Sequence, residues 1–222
     1  MGHLNVISFL WLIILWFYIK YVLKQEEEAR SKYIKIPLLF VLLYNVTLFF
    51  VLPWKFPVEL STTSYYIVPI IVLFGIKKLN VWGVYASVVS GVIYFLAMLI
   101  YGNGIYSTYP PYSVYTAIFN HGALLSYAII TLKTVKFEKS ERHIIWIGII
   151  LSAGWALLLR PYVKFTFRIF IYEVLDGLIV RTYLGNNLIF GYIIYYIVLV
   201  TTLILSANMV HKLSRVLYKS DE

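Results

Sequence analysis

The chain's chemistry is concentrated around His121. It lies in residues 109–135, YPPYSVYTAIFNHGALLSYAIITLKTV, where two prolines precede an apolar run of helical length. An ionisable group in such a run costs free energy unless it faces a cavity, a partner or the interior of a bundle. Counted from Ser113, the expected helix start, His121 is eight residues in, about 12 Å below one membrane face. An imidazole with an ordinary pKa near 6.5 is the usual general base. It can take the proton of a hydroxyl that is otherwise a weak nucleophile. Ser61 is the hydroxyl that the sequence offers, so Ser61 and His121 form the candidate catalytic pair. Glu59 or an asparagine would orient the ring, and an Asn amide or Arg160 would stabilise an oxyanion. The same residues carry a plainer reading. His121 is then a neutral ring bonded to a neighbouring helix, and the hydroxyls bond their own backbone or the next helix.

Around this pair the polar residues share a depth. Ser61, Thr62 and Thr63 fall roughly 6–9 Å below the outer face, and Asn45 roughly 10 Å below it. Asn120 adjoins His121, Arg160 ends one apolar run, and Asn186 and Asn187 open another. Asn45, Glu59, Thr62, Thr63, Asn120, Arg160 and Asn187 are therefore the candidate substrate-binding residues. Helix ends tolerate polar side chains, which accounts for Glu59, Arg160 and Asn187 but not for Asn45, Asn120 or His121. The inner half offers little beyond Ser87, Ser90, Ser206 and Asn208. The four histidines, His3, His121, His143 and His211, fall on different spans and at different depths, so no metal site is expected. No cofactor is expected either. The absence of cysteine excludes disulfides, thiolate ligands and thiol nucleophiles.

The elements that position these residues follow from composition. The 222 residues are 61% hydrophobic and 13% charged, with mean hydropathy +0.82. A soluble domain of this size cannot hide so much apolar surface. Backbone in lipid must be paired internally, and runs of about 20 residues without strand-like alternation select helices. The expected fold is an all-α polytopic bundle forming one domain over residues 1–222. Seven spans are read, at about 4–23, 36–52, 57–76, 81–101, 113–135, 143–159 and 187–210. No basic residue precedes the first and no small-residue cleavage site is found, so it reads as a retained helix and not a signal peptide. Residues 162–185, YVKFTFRIFIYEVLDGLIVRTYLG, are too charged to span and too apolar for a free loop. They read as an outer lid or interfacial segment.

Basic residues test this count. Lys20, Lys24, Arg30, Lys32, Lys35, Lys77, Lys78, Lys133, Lys136, Lys139, Arg142, Lys212, Arg215 and Lys219 fall on one side. Only Lys55, Arg160, Lys164, Arg168 and Arg181 fall on the other. The positive-inside rule then places the N-terminus outside and the C-terminus in the cytoplasm. It also accounts for the net charge of +9, which orients the chain beside anionic lipid and needs no nucleic-acid partner. Membrane lipids are the expected partners, and a cell membrane the expected location.

The stretch PVELSTTSYYIVPIIVLFGIKKL, a glycine-containing fourth span and then FNHGALL resembles the YwaF-type bacterial integral membrane proteins. These are similar to animal transmembrane phospholipid acyltransferases. The family pattern opens the third span with proline, histidine and cysteine, and places a His-Gly pair in the fifth. Here Pro57 matches the proline, while Glu59 stands in place of the histidine and Ser61 in place of the cysteine. His121-Gly122 matches the pair, and Pro110-Pro111 the loop before it. The likeness covers about residues 56–131. It implies a seven-span fold and acyl transfer to or from a lipid, with Ser61 or a neighbouring threonine replacing the family cysteine. It is equally compatible with a retained lipid cavity and lost catalysis. The leading expectation is therefore a lipid-directed acyltransferase or ester hydrolase with an outer-leaflet site. The alternatives are a solute-binding membrane subunit of a transporter and a non-catalytic assembly or sensor protein.

Overall fold

The computed structural model describes residues 3–51, 57, 60–106, 110–159 and 188–218. Among the described residues there are seven α-helices. They are α1 (His3–Leu23), α2 (Glu27–Val51), α3 (Leu60–Leu73), α4 (Asn80–Tyr106), α5 (Pro111–Thr134), α6 (Arg142–Leu159) and α7 (Leu188–Leu217). Short 3-10 turns at Lys77–Leu79 and Lys139–Glu141 lead into α4 and α6. The all-α expectation is met. By length and composition α1, α2, α4 and α5 can each cross a membrane. With 14 residues, α3 is about 21 Å long, short of a hydrocarbon core of about 30 Å. Glu59, Arg160, Asn187 and the 162–185 lid lie outside the described residues.

Helix ends differ from the hydropathy boundaries, and local chemistry says why. α2 begins at Glu27, nine residues before the apolar run at Ile36. Glu27 and Glu28 sit in its first turn, where the helix dipole favours acids, and Lys32 pairs with Glu28 at 2.6 Å one turn on. Hydropathy is blind to such a polar first turn. At the other end of the α3 segment, Gly75 takes φ +64°. The Ile76 amide donates to the Ile71 carbonyl at 2.9 Å and the Gly75 amide to Val72 at 3.3 Å, a Schellman closure. α5 starts at Pro111, not Ser113, because proline's fixed φ and missing N–H suit the first helical turn. That shift matters for the site: His121 is now ten residues, about 15 Å, into a helix about 36 Å long, near mid-helix and deeper than expected.

α5 is the centre of the bundle. Of its membrane-length window 72% is buried, against 56% for α4 and 11% for α2. Two glycines let neighbours approach it. A Cβ on Gly91 of α4 would lie 2.8 Å from the Leu125 Cβ and 3.3 Å from the His121 carbonyl oxygen. A Cβ on Gly122 would lie 2.5 Å from Trp11 Nε1 of α1. α4 and α1 therefore close on α5 at adjacent levels. On the far side, Gly148 of α6 seats the Trp82 indole of α4 where any Cβ would stand.

Candidate functional site

Close packing at Gly91 brings Ser90 to His121. The Ser90 hydroxyl lies 3.0 Å from His121 Nδ1, and the Tyr65 hydroxyl of α3 lies 2.6 Å from Nε2. Both ring nitrogens thus meet hydroxyls, from two different helices. One turn after Ser90 on α4, Tyr94 stacks on the imidazole, with centroids 3.8 Å apart and planes at 14°. Tyr65 meets the same ring edge-on, at 5.3 Å and 74°. Tyr94 and Ser90 share a helix face because they are four residues apart. One therefore fixes the ring plane while the other sets its rotation. His121 is 5% exposed, Ser90 6% and Tyr65 7%. No charged side chain among the described residues bonds the ring.

A neutral imidazole has one N–H donor and one acceptor nitrogen, whereas each hydroxyl can act either way. Two arrangements satisfy the centre. In one, Ser90 donates to Nδ1 and Nε2–H donates to the Tyr65 oxygen; the ring is then placed to take the serine proton. In the other, the Tyr65 hydroxyl donates to Nε2, and Nδ1–H donates to Ser90. Exchanging them moves protons at both ends of the ring together, so Tyr65 sets whether the imidazole can act as a base toward Ser90.

The residues singled out in the sequence are dispersed. Ser61 sits in the first turn of α3, one turn before Tyr65 on the same face, and is half-buried. The hydrogen bonds of His121 run to Ser90 and Tyr65, not to Ser61. Thr62 is half-buried beside it. The Thr63 hydroxyl donates to the Pro57 carbonyl at 3.1 Å, which also receives Trp155 Nε1 of α6 at 2.7 Å. Thr63 therefore helps anchor the entry to α3. Asn45 is buried, but its side-chain amide donates to its own helix at the Val41 carbonyl, 2.8 Å away, and its backbone carbonyl accepts from the Tyr66 hydroxyl. Asn120 is buried one position before His121, about 100° around α5 from it. Among the described residues no three His, Cys, Asp or Glu side chains gather.

Sequence reasoning missed Ser90, Tyr65 and Tyr94. Counted by depth, Ser90 falls in the inner half, away from the other candidates, and Tyr65 and Tyr94 carry no signal in the polar pattern. One signal could have found Ser90. α4 and α5 are adjacent in sequence and antiparallel, and Ser90 is ten residues from the start of α4, as His121 is from the start of α5. The two therefore meet near mid-helix.

Comparison of the chain with protein-family models, with curated proteins and with solved structures finds no match.

Proposed function

We propose that this chain is a multi-pass membrane protein that carries out lipid-directed ester chemistry, acyl transfer or hydrolysis, with His121 as general base. The observation that carries this reading is the 3.0 Å approach of the Ser90 hydroxyl to His121 Nδ1, on a ring held in place by Tyr65 and Tyr94. A serine hydroxyl beside an oriented imidazole is the pairing that hydroxyl nucleophiles require. The resemblance to YwaF-type proteins supports a lipid substrate, through Pro57 and His121-Gly122. In this reading Ser90 or Ser61 attacks the ester carbonyl. His121 takes its proton and returns it to the leaving alkoxide, and an acyl-serine forms. Transfer of that acyl group to a lipid hydroxyl or to water restores the serine.

The orientation proposed is Met1 outside and Glu222 in the cytoplasm, in a cell membrane with seven spans, on the distribution of basic residues. The chain has no cysteine of its own, so introduced ones report cleanly. Lys24→Cys should be labelled only from the cytoplasm and Tyr112→Cys only from outside. The reverse pattern would overturn the orientation.

The enzymatic test is lipid mass spectrometry on membranes from cells expressing each variant. His121→Gln should lower turnover about 10²-fold or more while the protein still folds. Ser90→Ala and Ser61→Ala separate the serine that touches the ring from the one that the resemblance favours. The double variant of His121 and the true nucleophile should be little worse than either single change. A wild type that alters no lipid species ends the enzymatic reading. A second reading rests on the completeness of the same contacts. Buried and satisfied at both nitrogens, His121 would be a polar lock joining α3, α4 and α5 in a non-catalytic protein, and a wild type that alters no lipid species together with a loss of stability in His121→Ala would favour it.

A further inference from the structure

Away from His121, the start of α6 and the end of α7 hold an arginine in a fixed pose without giving it a counter-charge. Arg142 is the first residue of α6 and is half-buried. Its Nε–H donates to the Lys139 carbonyl at 3.2 Å, and Nη1 donates to Asn208 Oδ1 of α7 at 2.6 Å. The Asn208 amide is itself fixed, because Nδ2 donates to the Ile204 carbonyl at 3.0 Å. Both acceptors of the guanidinium are neutral. Three of its five N–H donors are left over, and the rigid fork suits the paired oxygens of a phosphate. The two nearest acids are otherwise engaged. Glu138 and Glu141 form a reciprocal capping box, in which the Glu138 amide donates to the Glu141 carboxylate at 2.7 Å. Among the described residues the one ion pair is Lys32–Glu28 of α2.

Two more cations stand on the same face of α7. Lys212 and Arg215 follow Asn208 by four and seven residues, and both are exposed. The connector that leads into α6 lies along these turns. The Phe137 amide donates to Ser214 Oγ at 2.9 Å, and His211 Nδ1 donates to the Phe137 carbonyl at 2.9 Å. Depth identifies the ligand. With 30 residues, α7 is about 45 Å long, against a hydrocarbon core of about 30 Å. A helix that enters the core at Leu188 leaves it after about 20 residues, near Asn208. Arg142, Lys212 and Arg215 therefore lie at and just beyond the boundary, at the level of the lipid phosphates. We propose that these three residues bind the phosphate of one anionic phospholipid, with Arg142, oriented by Asn208, as the anchor. Basic pockets between membrane helices take anionic headgroups in this way. A zwitterionic headgroup brings its own cation and is the poorer match. The site is separate from the ester chemistry proposed for His121 and does not depend on it. Only its assignment to the cytoplasmic leaflet rests on the proposed orientation.

Native mass spectrometry of the detergent-purified full chain, titrated with phosphatidylglycerol and with phosphatidylcholine, tests it. One phosphatidylglycerol is expected to bind in preference to phosphatidylcholine. Lys212→Gln and Arg215→Gln change exposed side chains, so the fold should survive, and each should weaken that binding about fivefold. Lys24→Gln and Lys77→Gln remove the same charge elsewhere on the basic side and should leave it unchanged. Asn208→Ala keeps every charge but releases Arg142. A built site then loses affinity, whereas a diffuse basic surface does not. Equal affinity for the two lipids, equal losses in the Lys24 and Lys77 variants, or unchanged binding by Asn208→Ala would each overturn the site. Displacement of the lipid by an equal concentration of inorganic phosphate would assign the pocket to a soluble phosphate and overturn the lipid as its occupant.

Discussion

His121→Ala gives the most direct measure of what the polar centre contributes to folding. The change removes two interhelical hydrogen bonds, to Tyr65 at 2.6 Å and to Ser90 at 3.0 Å, and the stack on Tyr94. Hydrogen bonds between membrane helices average about 0.6 kcal/mol each, with a maximum near 1.7. A stacked ring pair adds about 0.5–1.5 kcal/mol. The expected loss is therefore about 2–3 kcal/mol, large beside the few tenths expected of a lipid-facing substitution. His121→Gln keeps a donor and an acceptor but no ring, so its cost should be nearer 1 kcal/mol, mostly the lost stack. Reversible unfolding in mixed lipid and detergent micelles measures both. A double-mutant cycle with Tyr65→Phe isolates one bond and should give a coupling of about 0.6 kcal/mol or more. If His121→Ala costs under about 0.5 kcal/mol and shows no coupling to Tyr65 or Ser90, the ring makes no net contribution to joining α3, α4 and α5.

Two further substitutions probe the helices that position the ring. Gly75→Ala meets no atom within 4 Å but must hold φ near +64°, so it should cost about 1–2 kcal/mol by conformation alone; Gly75→Asn should cost less, and equal costs would refute the account of this turn. Gly122→Ala puts a Cβ 2.5 Å from Trp11 Nε1, so α1 must shift and about 1–3 kcal/mol should be lost in the same unfolding assay. Restoration by Trp11→Phe, which removes the offending nitrogen, would identify the contact responsible, and no restoration would assign the loss elsewhere.

What could be read from the sequence divides along a physical line. Helices follow from hydropathy, because lipid leaves the backbone no other way to pair its polar groups, and the positions of the helices came through well. Their ends did not. α2 starts nine residues early because acids and an i,i+4 ion pair stabilise a polar first turn that hydropathy does not see. The importance of His121 was legible because a histidine in an apolar run demands a partner. Which partner was not legible. A polar residue's depth can be counted from the ends of its own helix, but its rotation about that helix depends on which neighbours pack where. Ser61, Thr63 and Asn45 had suitable depth, yet the bonds of Thr63 and Asn45 go to backbone carbonyls.

Glycine positions carry the missing information about rotation. A small residue marks the line along which one helix can approach another, so the side chains flanking it face the partner. Gly91 marks where α4 touches α5, and its neighbour Ser90 bonds His121. Gly122 marks where α1 touches α5, about 100° round from His121, which leaves the histidine pointing at α3 and α4 instead. The His-Gly pair therefore has a packing rationale that holds whether or not the histidine is a base. The glycine admits α1 on one face of α5, while on another the imidazole meets Tyr94 with its face and Ser90 and Tyr65 with its two nitrogens. Enlarging Gly91 should then disturb His121 without altering any polar group. Gly91→Ala would set a Cβ against the Leu125 Cβ at 2.8 Å and force α4 away from α5, lengthening the Ser90–His121 contact. If the ester chemistry proposed for this centre is real, that variant should lose turnover while its histidine, serine and tyrosine are all intact. Unchanged turnover, measured by the same lipid mass spectrometry, would mean that the contact of Ser90 with His121 does not serve catalysis.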